Sequence, residues 1–261
     1  MAAAFISDEL RDFLDRKVLQ FNQPFFVNDD PLSVPHMFSQ KQDQEIAGFF
    51  AATFAWGNRK TIINKCVELM KLMDNAPYQF MLHHSDKDLK GLLHFKHRTF
   101  NSTDLLYFVE WMHHHYRSHD TLEKAFFPAK DNGSNAIEVA LDHFYESFFS
   151  LEDAPLRTRK HIASRQRNSS CKRLNMFLRW MVRKDDQRVD LGIWKSVQPS
   201  QLICPVDVHV ARVAKSFGLL NRKQVDWQAA VELTEVLRSL DPVDPVKYDF
   251  ALFGLGILER Y

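Results

Sequence analysis

Residues 204–220 read CPVDVHVARVAKSFGLL, and they place a carboxylate at the start of an apolar-periodic helix. Pro205 suits the first turn of that helix, because its missing N–H would have no partner there. Asp207 is then expected at the second or third helical position, where its charge faces the positive end of the helix dipole. The pattern alone favours a capping aspartate over a catalytic one. The rest of the chain has to decide between these two roles.

The composition and spacing indicate a helical globular protein. Only 8 glycines and 10 prolines occur among the 261 residues, which leaves little room for hairpins or phosphate-binding loops. Apolar residues recur at helical spacing from residue 7 onward, and one nearly apolar helix is expected to end at Gly57. We therefore predict an all-α fold. It forms one unit with two lobes, the first of about residues 40–150 and the second of residues 1–40 together with 151–261.

Several classes of protein are disfavoured by what the sequence lacks. No run of about 18 apolar residues predicts a transmembrane helix. The N-terminus lacks the basic start and the apolar core of a secretory signal. The three cysteines lie far apart, which suggests neither a disulfide framework nor a metal site. We expect a reduced, cytoplasmic protein that contacts no membrane.

Cofactor and metal sites are not predicted either. The chain has no GxGxxG, GxSxG or P-loop motif, which disfavours dinucleotide binding, the common esterase design and the usual phosphoryl-transfer sites. The histidines at 113–115 point in three directions on a helix, and only His115 and His119 share a face. Because no carboxylate lies between them, a solvent-exposed face is favoured. The sequence therefore predicts no cofactor and no metal.

Basic residues are concentrated in one stretch of the chain. Between Pro155 and Arg188 there are eleven Lys or Arg and two Asp, a local charge of +9. Because the whole chain carries +1, the remainder carries −8. Such a separation of charge is typical of a surface that binds a polyanion, although a solvent-exposed helix with counterions would show the same excess of positive charge.

The block PVDVHVARVAKSFGLL resembles a segment of the helix-hairpin-helix base-excision DNA glycosylases, the relatives of endonuclease III and 8-oxoguanine glycosylase. In those enzymes a V/L-D-x-H-x-x-R-V pattern carries the catalytic aspartate at the start of a helix, and Asp207 matches it. Upstream, AGFFAATFAWGNRKTIINKCVELM is similar to the buried helix, sharp turn and second helix of their shared domain. There the turn fills the gap left by an extruded base. The matching DNA-contacting positions here are Trp56, Asn58, Arg59 and Lys60.

A narrower resemblance covers most of residues 20–258. The blocks DPLSVPHMFSQKQDQEIAGFFAATFAWGNRKTI, SSCKRLNMFLRWMVRKDD, QLICPVDVHVARVA and DPVKYDFALFGLGI resemble those of an uncharacterised bacterial family. Together the two resemblances imply a two-lobed helical bundle that is helix-hairpin-helix DNA glycosylase-like.

The glycosylase resemblance has departures. The usual glycine-rich hairpin before the aspartate is missing, and ASRQRNSSCKRLNMFLRW stands in its place. This segment resembles the degenerate hairpin of archaeal-type 8-oxoguanine glycosylases, whose following helix carries a Schiff-base lysine. Lys172 is the best match to that lysine. The chain also lacks the four-cysteine array that holds an iron–sulfur cluster in endonuclease III.

The resemblance implies an enzyme that removes a damaged base from duplex DNA. Asp207 would stabilise the positively charged sugar, and Lys172 would attack C1′ and add AP-lyase activity. Phosphate contacts would come from Arg165, Arg167, Ser169, Ser170 and Arg173, with either serine as the cap of the helix that follows. The extruded base would lie among Trp180, Phe250 and Phe253.

Two other functions fit the same sequence. Lys172 is equally explained as one more cation that contacts phosphate, which would leave a non-enzymatic helix-hairpin-helix DNA-binding protein. A helical protein–protein adaptor would use the basic stretch against an acidic partner. The sequence does not specify the lesion, the choice between DNA and RNA, or the oligomeric state.

Overall fold

The computed structural model describes residues 7–128, 136–257 and Glu259. Within these residues the chain is helical, and the β pairing consists of one isolated bridge between His97 and Phe100. The predicted all-α class is thereby confirmed. In chain order the α-helices are α1 (Asp8–Phe21), α2 (Pro24–Asn28), α3 (Lys41–Phe54), α4 (Arg59–Leu72), α5 (Pro77–His83), α6 (Asp86–Gly91), α7 (Ser102–Tyr116), α8 (Glu123–Phe126), α9 (Ala136–Phe148), α10 (Lys172–Val182), α11 (Val208–Ser216), α12 (Trp227–Leu240) and α13 (Tyr248–Ile257).

The chain divides into two units. Unit 1 comprises residues 7–27 and 164–257, together with Ala136 and Ile137, and it contains α1 and α10 to α13. Unit 2 comprises residues 28–128 and 138–163, and it contains α3 to α8 and most of α9. No described helix combines the length and the apolar character needed to cross a lipid bilayer.

The core of unit 2 is built around α3 and is rich in phenylalanine. From Glu45 to Phe54 every residue of α3 is buried, as its nearly apolar sequence predicts. The rings of Phe49 and Phe50 contact Phe108 of α7 at centroid distances of 5.7 and 5.8 Å. The helix ends at Phe54, three residues before the expected stop at Gly57, because Ala55 already leaves the helical conformation. Gly57 has a φ of +109° and completes the turn into α4.

The prediction of a solvent-exposed face is wrong for His115, whereas His119 on the same face is exposed. His115 is 6% exposed, its Nε2 lies 2.9 Å from the Thr121 carbonyl oxygen, and its ring stacks on Trp111. Burial lowers the pKa of His115 to about 4, so the ring is neutral at pH 7. His115 is therefore part of the core of unit 2.

In unit 1, α13 packs against both α1 and α11. Two glycines of α13 permit this close approach. A Cβ added to Gly256 would lie 3.3 Å from His209 Cβ of α11, and one added to Gly254 would overlap the ring of Phe21 in α1. The backbone of α13 thus lies directly against α1 and α11 at these two positions.

Replacing Gly254 with alanine is expected to destabilise the protein by roughly 1–3 kcal/mol, because the added methyl overpacks the buried Phe21 ring. Gly91 is the matched control, since a Cβ there would meet no atom within 4 Å. Gly91→Ala should be neutral or slightly stabilising, as alanine is the better helix former. Urea denaturation of both variants checks this, and equal midpoints would contradict it.

Candidate catalytic pair in unit 1

Asp207 is the N-cap of α11 rather than a residue inside it. The helix begins at Val208, and Asp207 Oδ1 accepts hydrogen bonds from the backbone N–H groups of His209 and Val210 at 2.9 and 3.0 Å. The expected position in the second or third helical place is therefore wrong, and Pro205 lies before the helix. An extended backbone at Asp207 lets its side chain satisfy N–H groups that have no carbonyl partner within the helix.

The start of α10 is also capped differently from the sequence expectation. Its N-cap is Cys171, which has a left-handed φ of +52° and makes no side-chain cap. Ser169 Oγ accepts from the Cys171 N–H at 3.1 Å, and Ser170 Oγ donates to the Val206 carbonyl at 2.8 Å. Neither predicted serine caps α10. The Ser170 bond instead ties the start of α10 to the residue directly before Asp207.

This tie brings together the two residues that the sequence singled out for chemistry. Lys172 Nζ lies 3.7 Å from Asp207 Oδ2, while the other oxygen of the same carboxylate is engaged in capping α11. The cap therefore fixes the carboxylate so that its second oxygen faces the amine. The side chains of Lys172 and Asp207 are 21% and 24% exposed, so the pair is fixed but reachable from solvent.

Of the three aromatic residues predicted to hold a base, one lies beside this pair and is only half-buried. Lys172 Nζ is 5.8 Å from the ring centroid of Phe253, which is half-buried. Trp180 and Phe250 are each 1% exposed. Phe250 is covered by the guanidinium of Arg179, whose Cζ lies 4.3 Å from the ring centroid. Of the three rings, Phe253 is the one that is both partly exposed and beside the pair.

Asp249 is a part of this site that the sequence interpretation missed. It lies in the first turn of α13, is 5% exposed and forms an ion pair with Arg179. Burial raises the pKa of Asp249 to about 6, with Arg179 and Lys172 opposing the rise and Asp207 adding to it. Asp249 is therefore within electrostatic reach of both members of the pair. Its signal in the sequence was a single charged residue in the otherwise apolar segment YDFALFGLGI.

The basic stretch is partly neutralised inside unit 1. Arg179 and Arg183 are 5% and 2% exposed, and both bind Asp190, with nitrogen–oxygen distances of 3.3 and 3.2 Å. Arg183 also pairs with Asp185 at 2.7 Å and with Asp244 at 2.8 Å. These two guanidinium groups hold the core together. The local charge of +9 thus overstates the positive charge that a polyanion would meet.

The remaining predicted phosphate contacts of unit 1 differ in exposure. Arg167 is exposed, and Arg165 and Arg173 are half-buried. Arg165 and Arg167 belong to a short 3-10 helix, and burial lowers the pKa of Arg173. Arg167 is the member of this predicted set with the most open side chain.

The comparisons with known proteins identify a family. A family model described as "Protein of unknown function (DUF2400)" matches residues 30–258. The chain belongs to this family. The match confirms the narrower resemblance drawn from the sequence blocks. No curated protein and no solved structure matches the chain. The glycosylase resemblance is not addressed by these comparisons and stays a prediction.

In this DUF2400 protein the predicted wedge turn forms the connection between α3 and α4 of unit 2. The ring of Trp56 is half-buried and carries the Arg98 guanidinium, with Cζ 4.3 Å from the ring centroid. Asn58 caps α4, since its Oδ1 accepts from the Thr61 N–H at 3.1 Å. Arg59 is half-buried and Lys60 is exposed. A capping role accounts for Asn58, whereas Lys60 points to solvent.

Among residues 7–128 and 136–257, no group of three or more His, Cys, Asp or Glu side chains is arranged to hold an ion. The groups that the structure places at the Lys172–Asp207 pair are the amine, the carboxylates and the neighbouring Phe253 ring.

Proposed function

We propose that this DUF2400 protein is a base-excision DNA glycosylase with AP-lyase activity, in which Lys172 is the nucleophile and Asp207 is the supporting carboxylate. The observation that carries the proposal is the distance of 3.7 Å between Lys172 Nζ and Asp207 Oδ2. This is the carboxylate oxygen that does not cap α11. The two residues are matched to glycosylase positions by sequence blocks far apart in the chain. A structural cap alone does not require a lysine at this place.

The chemistry of the pair follows from the two functional groups. Lysine attacks only as a neutral amine, and Asp207 Oδ2, at an ion-pair distance of 3.7 Å, is the proposed acceptor of the ammonium proton. The amine adds to C1′ as the bond from C1′ to the base breaks, and the base leaves with the electron pair and takes up a proton. Opening of the sugar ring then gives a Schiff base at C1′. Loss of a C2′ proton allows the 3′ phosphate to leave by β-elimination, which cuts the strand.

Other features of unit 1 support the same proposal. The Ser170 bond to Val206 places the start of α10 beside the start of α11, which suits the helix-hairpin-helix glycosylase-like arrangement that we propose for this fold. Phe253 supplies a ring on which an extruded base can stack next to the amine. The exposed Arg167 supplies positive charge for the phosphate backbone of duplex DNA.

Borohydride trapping tests the proposal. The protein is incubated with duplexes that carry 8-oxoguanine, uracil, an oxidised pyrimidine or an abasic site, and reduction fixes any Schiff base. We expect a covalent adduct on at least one duplex, mapped to Lys172 by peptide mass spectrometry and absent from Lys172→Ala. Lys184→Ala removes an exposed lysine from the same basic stretch and should keep the adduct.

The other outcomes assign other functions. Base loss without an adduct would mean a glycosylase without lyase activity and would remove Lys172 as the nucleophile. Salt-sensitive binding without base loss would leave a DNA-binding protein in which Asp207 is only a cap. Neither binding nor chemistry on any duplex would overturn the DNA function altogether.

A further inference from the structure

A surface turn of unit 2 holds an arginine in an unfavourable backbone conformation. His97 and Phe100 exchange backbone hydrogen bonds at 2.8 and 2.9 Å, which closes a two-residue turn with Arg98 at its first position. Arg98 has a left-handed φ of +55° and is exposed. Glycine or asparagine usually occupies such a position, because most side chains strain this conformation. The turn therefore keeps an arginine at a place where the backbone alone favours another residue.

The side chain of Arg98 is held against the connection between α3 and α4. Its Cζ lies 4.3 Å from the centroid of the half-buried Trp56 ring, which is within cation–π range. Gly57 makes this approach possible, since a Cβ added there would lie 2.6 Å from Arg98 Nη1. The Thr99 carbonyl oxygen accepts a hydrogen bond from Arg157 Nη2 at 3.1 Å, which also holds the turn. The guanidinium is thus kept in one place by its neighbours and is still exposed.

The surroundings of this Trp56–Arg98 stack are basic. Residues 55–64 and 90–100, which contain the two turns, carry five Lys or Arg and no Asp or Glu. Lys60 lies in the first turn of α4 and Lys96 lies two residues before Arg98, and both lysines are exposed. A surface of this charge attracts a polyanion, and the guanidinium suits a phosphate that can accept two parallel hydrogen bonds.

We infer that unit 2 binds the phosphate backbone of duplex DNA through the Trp56–Arg98 stack. Lys60 and Lys96 add positive charge next to the stack. Trp56 positions the arginine, and this lowers the conformational entropy that binding removes. Lys60 belongs to the DNA-contacting set predicted from the sequence, and Arg98 and Lys96 extend that set. The inference concerns binding alone and does not depend on the chemistry proposed for Lys172.

Fluorescence anisotropy with a short labelled duplex that carries no lesion tests the inference. Arg98→Asn removes the cation and leaves a residue that tolerates the left-handed φ. We expect the affinity to fall about tenfold, by the same factor on duplexes of different sequence, and the slope of log K against log salt to lose about one unit. The temperature of unfolding should stay within about 3 °C, because relief of strain offsets the lost cation–π contact.

Arg117→Asn is the matched control. Arg117 is an exposed arginine of unit 2 that directly follows the last residue of α7, whereas Arg98 lies shortly before the first. The 15 residues of α7 separate the two arginines by roughly 20 Å. Arg117→Asn makes the same charge change and should leave the affinity and the salt slope unchanged. An equal loss in both variants would show a general effect of net charge and would overturn the inference.

A second variant covers the case in which Arg98→Asn does not fold. Lys60→Gln combined with Lys96→Gln changes two exposed side chains, so the fold should be retained. Its affinity for the duplex should fall at least about fivefold. Unchanged affinity in either folded variant, or no binding of the duplex by the unmodified protein, would overturn the inference. Polyglutamate that displaces the labelled duplex as well as unlabelled duplex does would indicate an acidic protein partner and would overturn it too.

This inference and the proposed function fail in distinguishable ways. An adduct at Lys172 together with unchanged binding by folded Arg98→Asn would keep the glycosylase function and overturn the DNA surface on unit 2. Weaker binding by Arg98→Asn with no adduct and no base loss on any duplex would overturn the glycosylase chemistry and keep this surface.

Discussion

Asp207→Asn is expected to slow base removal by at least about a hundredfold while it leaves the stability of the fold nearly unchanged. Asparagine is as good an N-cap as aspartate, so its Oδ1 can keep the bonds from the His209 and Val210 N–H groups. What the substitution removes is the charge that faces Lys172 Nζ at 3.7 Å. The variant therefore separates capping from chemistry at a single residue. Single-turnover kinetics and thermal unfolding measure the two effects.

Asp226 provides the matched control for this substitution. It is the N-cap of α12 in the same unit, and its Oδ1 accepts from the Ala229 N–H at 3.1 Å. Asp226→Asn makes the same chemical change at a second capping aspartate and should leave base removal unchanged. Asp207→Ala removes both functions and should lose activity together with about 1 kcal/mol of stability. An Asp207→Asn protein that keeps the full rate would show that this carboxylate is a cap and nothing more.

Helix positions could be predicted from the sequence better than helix starts. Apolar periodicity predicted helical structure from residue 7 onward, and α1 spans Asp8–Phe21. Periodicity reports which face is buried, and this depends on spacing along one element. Caps depend on partners that the chain supplies from elsewhere. Ser170 was expected to cap α10 but donates to Val206, 36 residues further along. No local pattern shows such a bond.

The candidate site could be predicted only in part for the same reason. Lys172 and Asp207 were found because each lies in a recognisable block. Asp249 was missed because an aspartate at the start of a helix is usually explained by the helix dipole. Its ion pair with Arg179 depends on the packing of α13 against α10, which the local sequence does not show. The charge count also could not distinguish Arg179 and Arg183 from surface cations. Arg179 lies in the last turn of α10 and Arg183 directly follows this helix, and only the packing shows that both side chains are buried.

Arg183→Met is expected to destabilise the protein by roughly 3–5 kcal/mol, because it leaves the half-buried Asp185 and Asp244 without their arginine and the buried Asp190 with Arg179 alone. Arg183 is 2% exposed and binds Asp185, Asp190 and Asp244 at 2.7–3.2 Å. Lys184→Met is the matched control, since it makes the same charge change at the next, exposed residue and should stay within about 0.5 kcal/mol of the unmodified protein. Midpoints of urea denaturation measure both effects.

The loss of stability caused by Arg183→Met should also depend on pH. Burial already raises the pKa of Asp244, and removal of Arg183 takes away the charge that opposes this rise. A carboxyl whose pKa is higher in the folded state than in the unfolded state stabilises the fold as it takes up a proton. The difference in unfolding free energy between Arg183→Met and the unmodified protein should therefore become smaller as the pH falls from 8 to 5. If Arg183→Met instead weakened DNA binding at unchanged stability, Arg183 would be a surface contact and the buried network would be wrong.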